Sequence, residues 1–262
     1  MIVNKRSALI IGNVVIPILC IVVLAILSIG QGDYTQIFEP AGFESLIDPI
    51  NFTFAIWGPI FLLLFVFIIY QLRDLVKGSV NDLKTEYIDQ VSIYFMLSTI
   101  FTSFWYGFWL YRIIWAATIF MVLYLASLII GYLRLKINLV DRTKIEEIAI
   151  SIPWSMYTAW VTVATIVSIT TFLVSVGFNN PPFVLADGYW AVVVLIVALV
   201  VYGTTLLTRN DYIFACVGIW ALLGIMFERL FAPVLVLEVI ITTIIGIVVL
   251  SILIIFQALR TH

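Results

Sequence analysis

Long apolar runs alternate with short polar stretches along the whole chain. The runs lie at roughly 8–29, 52–72, 90–110, 113–134, 146–176, 188–208, 212–230 and 233–257. A helix that crosses a bilayer needs about 20 predominantly apolar residues, and each run is close to that length. The pattern therefore predicts an all-α integral membrane protein with about eight transmembrane helices. Little sequence remains between the runs, so any site must be built from membrane-spanning segments.

The composition supports this interpretation. Of the 262 residues, 64% are hydrophobic and 11% are charged, and the mean hydropathy is +1.20. A soluble domain carries about 25% charged residues. The net charge is −2 and no basic block is present, so nucleic acid is not an expected partner. The expected partner is the lipid bilayer.

Few residues suit chemical catalysis or metal binding. Cys20 and Cys216 lie inside apolar runs and show no CxxC or Cys/His spacing. The single histidine, His262, is the last residue. Ser–His or Cys–His nucleophilic chemistry is therefore not expected. We assign no catalytic residue and no metal ligand from the sequence, and we leave open whether the chain is an enzyme, with a non-enzymatic role favoured.

Basic residues are unevenly distributed between alternate loops. Arg112 and Arg229 are the basic residues of one set, and the other set carries Lys5, Arg6, Arg73, Lys77, Lys84, Arg134, Lys136, Arg142, Lys144, Arg209 and Arg260. Cytoplasmic loops carry an excess of lysine and arginine. The distribution predicts a multi-pass protein of the cell membrane with both termini cytoplasmic, which an even number of spans requires.

Aromatic residues line one face of the second run. Phe54, Trp57 and Phe61 lie at positions i, i+3 and i+7, which share a helical face. Gly58-Pro59 lies within the same turn and favours a bend. One interpretation is the wall of a ligand pocket. The other is an ordinary transmembrane helix that a tryptophan anchors at the interface.

The third and fifth runs carry similar stripes. Phe101 and Trp105 share a face of the third run, and Tyr157, Trp160 and Ala164 follow the spacing i, i+3, i+7 in the fifth. Trp160 is near the middle of its run, where an interfacial anchor has no role. Its indole N–H needs an acceptor there. Trp160 is therefore the tryptophan that the anchor interpretation explains least.

These stripes resemble the motifs of a known family. Residues 1–176 resemble the tryptophan-rich sensory protein and translocator family (TspO, or the peripheral-type benzodiazepine receptor family). The similar sequences are Phe54-x-Ile56-Trp57-x-x-x-Phe61, Trp105-Tyr106-Gly107 and Trp160-Val161-x-x-Ala164. The family's Pro-Pro-x-Trp is replaced by Asp48-Pro49-Ile50-Asn51-Phe52. The chain thus resembles a longer, diverged member.

The resemblance implies a domain organisation and a site. It divides the chain into a five-helix bundle at 1–176 and three additional helices at 177–262, within one membrane domain. It implies an outward-opening aromatic pocket for a tetrapyrrole (a porphyrin or haem-like molecule) or another hydrophobic ligand, lined by Trp57, Phe61, Trp105 and Trp160, with Phe54, Phe101, Tyr157 and Ala164 as further contacts. Family members bind porphyrins, some bind sterols and aromatic drugs, and some bacterial members promote light-driven porphyrin breakdown. Porphyrin or haem would then be a ligand, and no cofactor is required.

A second function class stays open because of one acidic residue. Glu238 lies about one turn inside the eighth run, where a carboxylate is costly and needs a partner. It is either an ion-coupling or ligand-contact acid of a transporter or permease subunit, or part of a structural ion pair with Arg229 or Arg112. No inverted repeat or interrupted helix pair is evident, which argues against transport. The physiological ligand, the role of the last three helices and homodimer formation are left open.

Overall fold

In the computed structural model of this chain, the described residues are 5–31, 42–78, 85–178 and 184–261. Residues 32–41, which belong to the loop between the first two apolar runs, lie outside them, as do the basic residue Lys84, part of the loop after the fifth run, and His262. All regular secondary structure within the described residues is helical. The predicted all-α class is therefore confirmed.

Eight helices in the described part of the chain are long and apolar enough to cross a membrane. We number these spans in chain order: Lys5–Ser28, Asn51–Val76, Tyr87–Leu110, Ile114–Arg134, Lys144–Ser175, Asp187–Arg209, Tyr212–Phe231 and Leu237–Arg260. They coincide with the eight apolar runs, so the predicted number of spans is confirmed and the protein is a multi-pass membrane protein.

Three spans contain irregular turns. The second begins with a 3₁₀ helix, Asn51–Ile56, before its α-helix, Trp57–Val76. The third consists of a short helix, Tyr87–Val91, and a longer one, Tyr94–Leu110. The fifth runs as Lys144–Glu146, then a wide π-helical turn at Glu147–Ser151, then Ile152–Ser175. The helix of the eighth span ends at Thr261.

The break in the third span is stabilised by two arginine side chains. Ser92 has a φ of 48°, so the backbone leaves the helical path there. The Arg134 guanidinium donates to the carbonyls of Asp89 and Gln90, both at 2.9 Å, and these carbonyls belong to the turn that the break interrupts. Arg6 Nε lies 2.7 Å from Asp89 Oδ2. The third span is therefore interrupted at this position.

The π-helical turn of the fifth span lies just before a proline. Pro153 has no N–H, so the carbonyl of Ala149 lacks the donor that an α-helix would provide. A wider turn, in which each N–H bonds to the carbonyl five residues earlier, is one way of passing such a position. The residues Glu147–Ser151 adopt this turn, and the helix regains α geometry at Ile152.

Packing groups the chain into two compact units. The first contains Met1–Ile37 and Trp57–Thr158, and the second contains Phe38–Ile56 and Ala159–His262. The boundary thus falls inside the helix of the fifth span, whereas the division inferred from the resemblance falls after residue 176. The segment before the second span is grouped with the last spans, although it precedes them by more than 100 residues.

The core of the first unit is aromatic. Phe67 packs edge-on against Phe95 and Trp154, with ring centroids 5.3 and 6.0 Å away. Trp154 is 1% exposed. Gly131 of the fourth span permits its ring to lie against the helix backbone, because a Cβ at that position would overlap the ring. A glycine is thus required where the fourth and fifth spans meet.

Candidate ligand-binding site

The predicted site residues fall in both units, and each group is described separately. In the first unit, Trp57 stacks on Phe61 with ring centroids 5.2 Å apart and planes 20° apart. Tyr157 meets Trp57 edge-on at 6.3 Å. Phe61 is 61% exposed, so the pair presents one accessible flat ring behind which a second ring is packed. The structure therefore brings three of the eight predicted residues together here.

Tyr157 is held in place by a polar contact. The Tyr124 hydroxyl donates a hydrogen bond to the Tyr157 hydroxyl, and both side chains are buried. A tyrosine that is buried in an apolar region needs such a partner. The bond fixes the ring that packs edge-on against Trp57. Tyr124 was not identified from the sequence.

Two other predicted residues of the first unit pack within the third and fourth spans. Trp105 lies beside Trp109 and Tyr106, with ring centroids 6.2 and 6.5 Å away. Phe101 lies 6.1 Å from Phe120. Trp105 is half-buried, so part of its ring is accessible. Their role in ligand binding stays a prediction.

In the second unit, Phe54 packs edge-on against Trp160. The ring centroids are 5.8 Å apart and the planes are at 89°. Trp160 is 1% exposed, so its ring is buried within the unit. Ala164 lies one turn further along the same helix and is half-buried. Trp160 and Ala164 share one face of the helix through their i, i+4 spacing.

The segment before the second span is docked onto the seventh span, and we call residues 42–50 the docked segment. The Ile50 N–H donates to the Gly224 carbonyl at 3.1 Å, and Trp220 Nε1 donates to the Thr53 carbonyl at 2.8 Å. Thr53 lies against Gly224, where a Cβ would overlap its side chain. The attachment therefore combines a backbone bond, a bond from a tryptophan side chain and a close approach that glycine allows.

An apolar cavity lies beneath this segment within the second unit. Its volume is about 30 Å³, and it is lined by Ile47, Val163, Ile166, Val167, Val194, Leu195, Ala198, Leu199, Tyr202, Gly218, Ala221, Leu222 and Ile225. Ile47, which is 2% exposed, is the lining residue that comes from the docked segment. The cavity is too small for a macrocycle, and such voids occur in ordinary cores.

One acidic group of the docked segment has a perturbed pKa. The pKa of Asp48 is raised to about 6, mainly by burial and also by the nearby Glu44, while hydrogen bonds from Ser45 and the charge of Arg229 oppose the rise. The Ser45 N–H and hydroxyl donate to the Asp48 carboxylate at 2.7 and 2.8 Å. Asp48 thus titrates closer to neutral pH than an ordinary aspartate.

The side chain of Glu238, a residue of the eighth span, lies against the start of the sixth span. Its carboxylate occupies the space that a Cβ at Gly188 would fill, one residue after the helix begins at Asp187. The N-terminus of a helix stabilises a negative charge. Arg229 forms an ion pair with Glu228 at 3.5 Å, and Glu238 forms none with a described residue of its unit. A helix N-terminus therefore takes the place of the predicted basic partner.

Sequence reasoning passed over three buried polar side chains of the first unit. They are Asn13, Gln71 and Trp154, each with at most 1% of its surface exposed. A polar amide within an apolar helix was the available signal for Asn13 and Gln71. Among the described residues, no group of three or more His, Cys, Asp or Glu side chains could hold a metal ion.

Fold and composition define an all-helical, multi-pass membrane protein with aromatic clusters in its spanning helices. The family model described as TSPO-like protein matches residues 8–256, and the chain belongs to this family. The match includes the last three spans as well as the first five. No curated protein and no solved structure matches the chain. Membership indicates a membrane-embedded binding or sensory protein.

Proposed function

We propose that the protein is a receptor or sensor that binds a flat hydrophobic ligand of the tetrapyrrole class. The observation that carries the proposal is the stacked pair of Trp57 and Phe61, whose outer ring is 61% exposed. Aromatic faces stack on flat conjugated rings, at about 0.5–1.5 kcal/mol for each pair beyond the area that they bury. Family membership supports the same ligand class.

The supporting residues give this surface a fixed shape. Tyr157 packs edge-on against Trp57 and accepts a bond from Tyr124, so the Trp57 ring has little freedom to rotate. A preorganised ring loses less conformational entropy when a ligand stacks on it. Trp160, which is buried against Phe54, is proposed as a second contact on the strength of the family motif.

The proposal is tested by titrating the purified protein with protoporphyrin and with haemin. Visible absorbance and tryptophan fluorescence report binding, and Trp57→Ala and Trp160→Ala are measured beside the unchanged chain. We expect saturable binding that Trp57→Ala weakens about tenfold, which corresponds to about 1.4 kcal/mol. Trp115→Ala is the matched control, because Trp115 is 60% exposed and is not a proposed contact. Weak, unsaturable binding by all four proteins would exclude a tetrapyrrole ligand.

A second candidate function is transport of such a solute. The break of the third span at Ser92 favours it, since interrupted spans are frequent in secondary transporters. Glu238 would be the coupling acid. In proteoliposomes, transport predicts ligand flux that Glu238→Gln abolishes while leaving binding intact. Binding without any flux would leave the receptor as the function.

A further inference from the structure

Two amide side chains meet inside the first unit, in the helices of the first and second spans. Asn13 Nδ2 donates to Gln71 Oε1 at 2.9 Å. Both residues are 0% exposed, and both helices are otherwise apolar over most of their length. At a rise of about 1.5 Å per residue, Asn13 is roughly 12 Å from the start of its helix. The pair is therefore inside the spanning part of the unit, although Gln71 lies toward the end of its helix at Val76.

Only two of the four side-chain polar atoms of the pair are hydrogen-bonded. Asn13 Oδ1 and Gln71 Nε2 have no hydrogen-bond partner among the described residues. Exchanging the amide oxygen and nitrogen of both side chains, which is a matter of assignment, again leaves one acceptor and one donor unsatisfied. Unpaired polar atoms in an apolar interior destabilise the folded protein. The pair is thus incomplete with either assignment.

A third acceptor belongs to the same position. Pro17 lies inside the first helix and has no N–H, so the Asn13 carbonyl lacks its usual α-helical donor. Asn13 therefore has two acceptors without their usual donors, the side-chain Oδ1 and the backbone carbonyl. The Gln71 side chain supplies N–H donors at the same position. No charged side chain takes part in the pair. The complement of this arrangement is a neutral group that both accepts and donates hydrogen bonds.

We propose that Asn13 and Gln71 form a binding site for one hydroxyl oxygen. The oxygen accepts from Gln71 Nε2 and donates to an acceptor of Asn13. An internal water and the hydroxyl of an alcohol offer this same chemistry. An anion would lie against the acceptor oxygens of Asn13, and a cation would lie against the N–H groups of Gln71, so a neutral hydroxyl fits best.

A polar route leads toward this site from one end of the second span. Asp74 is three residues beyond Gln71 and so lies on the same helical face, and it is buried. It accepts from Tyr87 at 2.8 Å and from Arg73 at 2.7 Å. The Arg73 side chain is 39% exposed. Polar groups thus continue from the surface of the unit to within one turn of Gln71.

Vibrational spectroscopy tests the water form of the proposal. Spectra of the full chain in H₂¹⁶O and H₂¹⁸O are compared, and an internal water gives an isotope-shifted O–H stretch of weak hydrogen bonding. We expect this band in the unchanged protein and its loss in Gln71→Met and in Asn13→Leu, which remove one side of the site each. Gln257→Met is the matched control, because Gln257 is also a buried glutamine in a spanning helix, bonded to Asn210, and should retain the band.

Thermal melting in the presence of short linear alcohols tests whether the site binds an alcohol hydroxyl. A saturable rise in Tm that both site variants lose and Gln257→Met retains indicates an alcohol hydroxyl at the site. Melting without additives shows whether each variant is folded, and either site variant alone suffices if the other does not fold. The proposal is overturned if neither the isotope-sensitive band nor the saturable rise is present, or if the site variants keep both. The pair would then be an interhelical hydrogen bond only.

Discussion

Single glycines set how closely the spanning helices of the first unit approach. Gly131→Ala would place a Cβ inside the ring of Trp154, which is buried and rigid. Overpacking of this kind costs about 1–3 kcal/mol, more than alanine returns through its better helix propensity, about 1 kcal/mol. We therefore expect Gly131→Ala to lower Tm in a thermal unfolding measurement.

The control for this prediction is Gly107→Ala. Gly107 is also inside a spanning helix of the first unit, but its nearest neighbour, Leu27 Cδ1, would lie 3.9 Å from the new Cβ. That distance is an ordinary van der Waals contact, so Tm should stay unchanged or rise slightly. Equal losses of Tm in the two variants would show that helix flexibility, rather than the contact with Trp154, makes glycine necessary.

Among the elements, the docked segment responds to pH through Asp48. Its pKa is about 6 when docked, against about 3.9 for an unperturbed aspartate. The docked form therefore binds the proton more tightly than the undocked form does, and proton binding favours docking. The stabilisation of docking by the protonated Asp48 is fully present below about pH 4 and is lost as the pH rises from about 4 to about 6. Above that range, Asp48 causes no further change in the stability of docking.

Amide hydrogen exchange at Ile50 measures this effect, because its N–H bonds to Gly224 only when the segment is docked. We expect the protection at Ile50 to be greater at pH 4.5 than at pH 7 in the unchanged chain. Asp48→Asn removes the titrating group and keeps the side-chain shape, so the ratio of the two proteins' rates cancels the intrinsic pH dependence of exchange. A ratio that does not vary with pH would contradict the assignment of the pH dependence to Asp48, whose pKa Glu44 raises and Arg229 lowers.

At the scale of the whole molecule, the charge distribution predicts that Lys136 and Arg112 lie on opposite sides of the membrane. Single cysteines are introduced at each position after Cys20 and Cys216 have been replaced by serine. A membrane-impermeant maleimide added to intact cells should label Arg112→Cys and should label Lys136→Cys only after permeabilisation. The reverse pattern would invert the topology. Labelling of both variants in intact cells would contradict the prediction that successive loops lie on alternate sides of the membrane.

The parts of the structure that sequence predicts are those that depend on local pattern. The eight spans follow from hydropathy within windows of about 20 residues, and the stack of Trp57 on Phe61 follows from their i, i+4 spacing on one helix. The break at Ser92 depends on Arg134, which is more than 40 residues away along the chain. The bond between Trp220 and Thr53 and the pairing of Asn13 with Gln71 are likewise long-range contacts, and no periodicity encodes them.

The π-helical turn at Glu147–Ser151 has a consequence for reading relatives of this chain. A turn that bonds five residues back instead of four contains one more residue than an α-helical turn. Every later side chain of the fifth span is therefore rotated by about 100° from the place that an unbroken α-helix would give it. A relative without the wide turn should align with this chain only across a one-residue gap near residues 147–151. An ungapped comparison would match Trp154, Tyr157 and Trp160 to residues on a different face of the relative's helix.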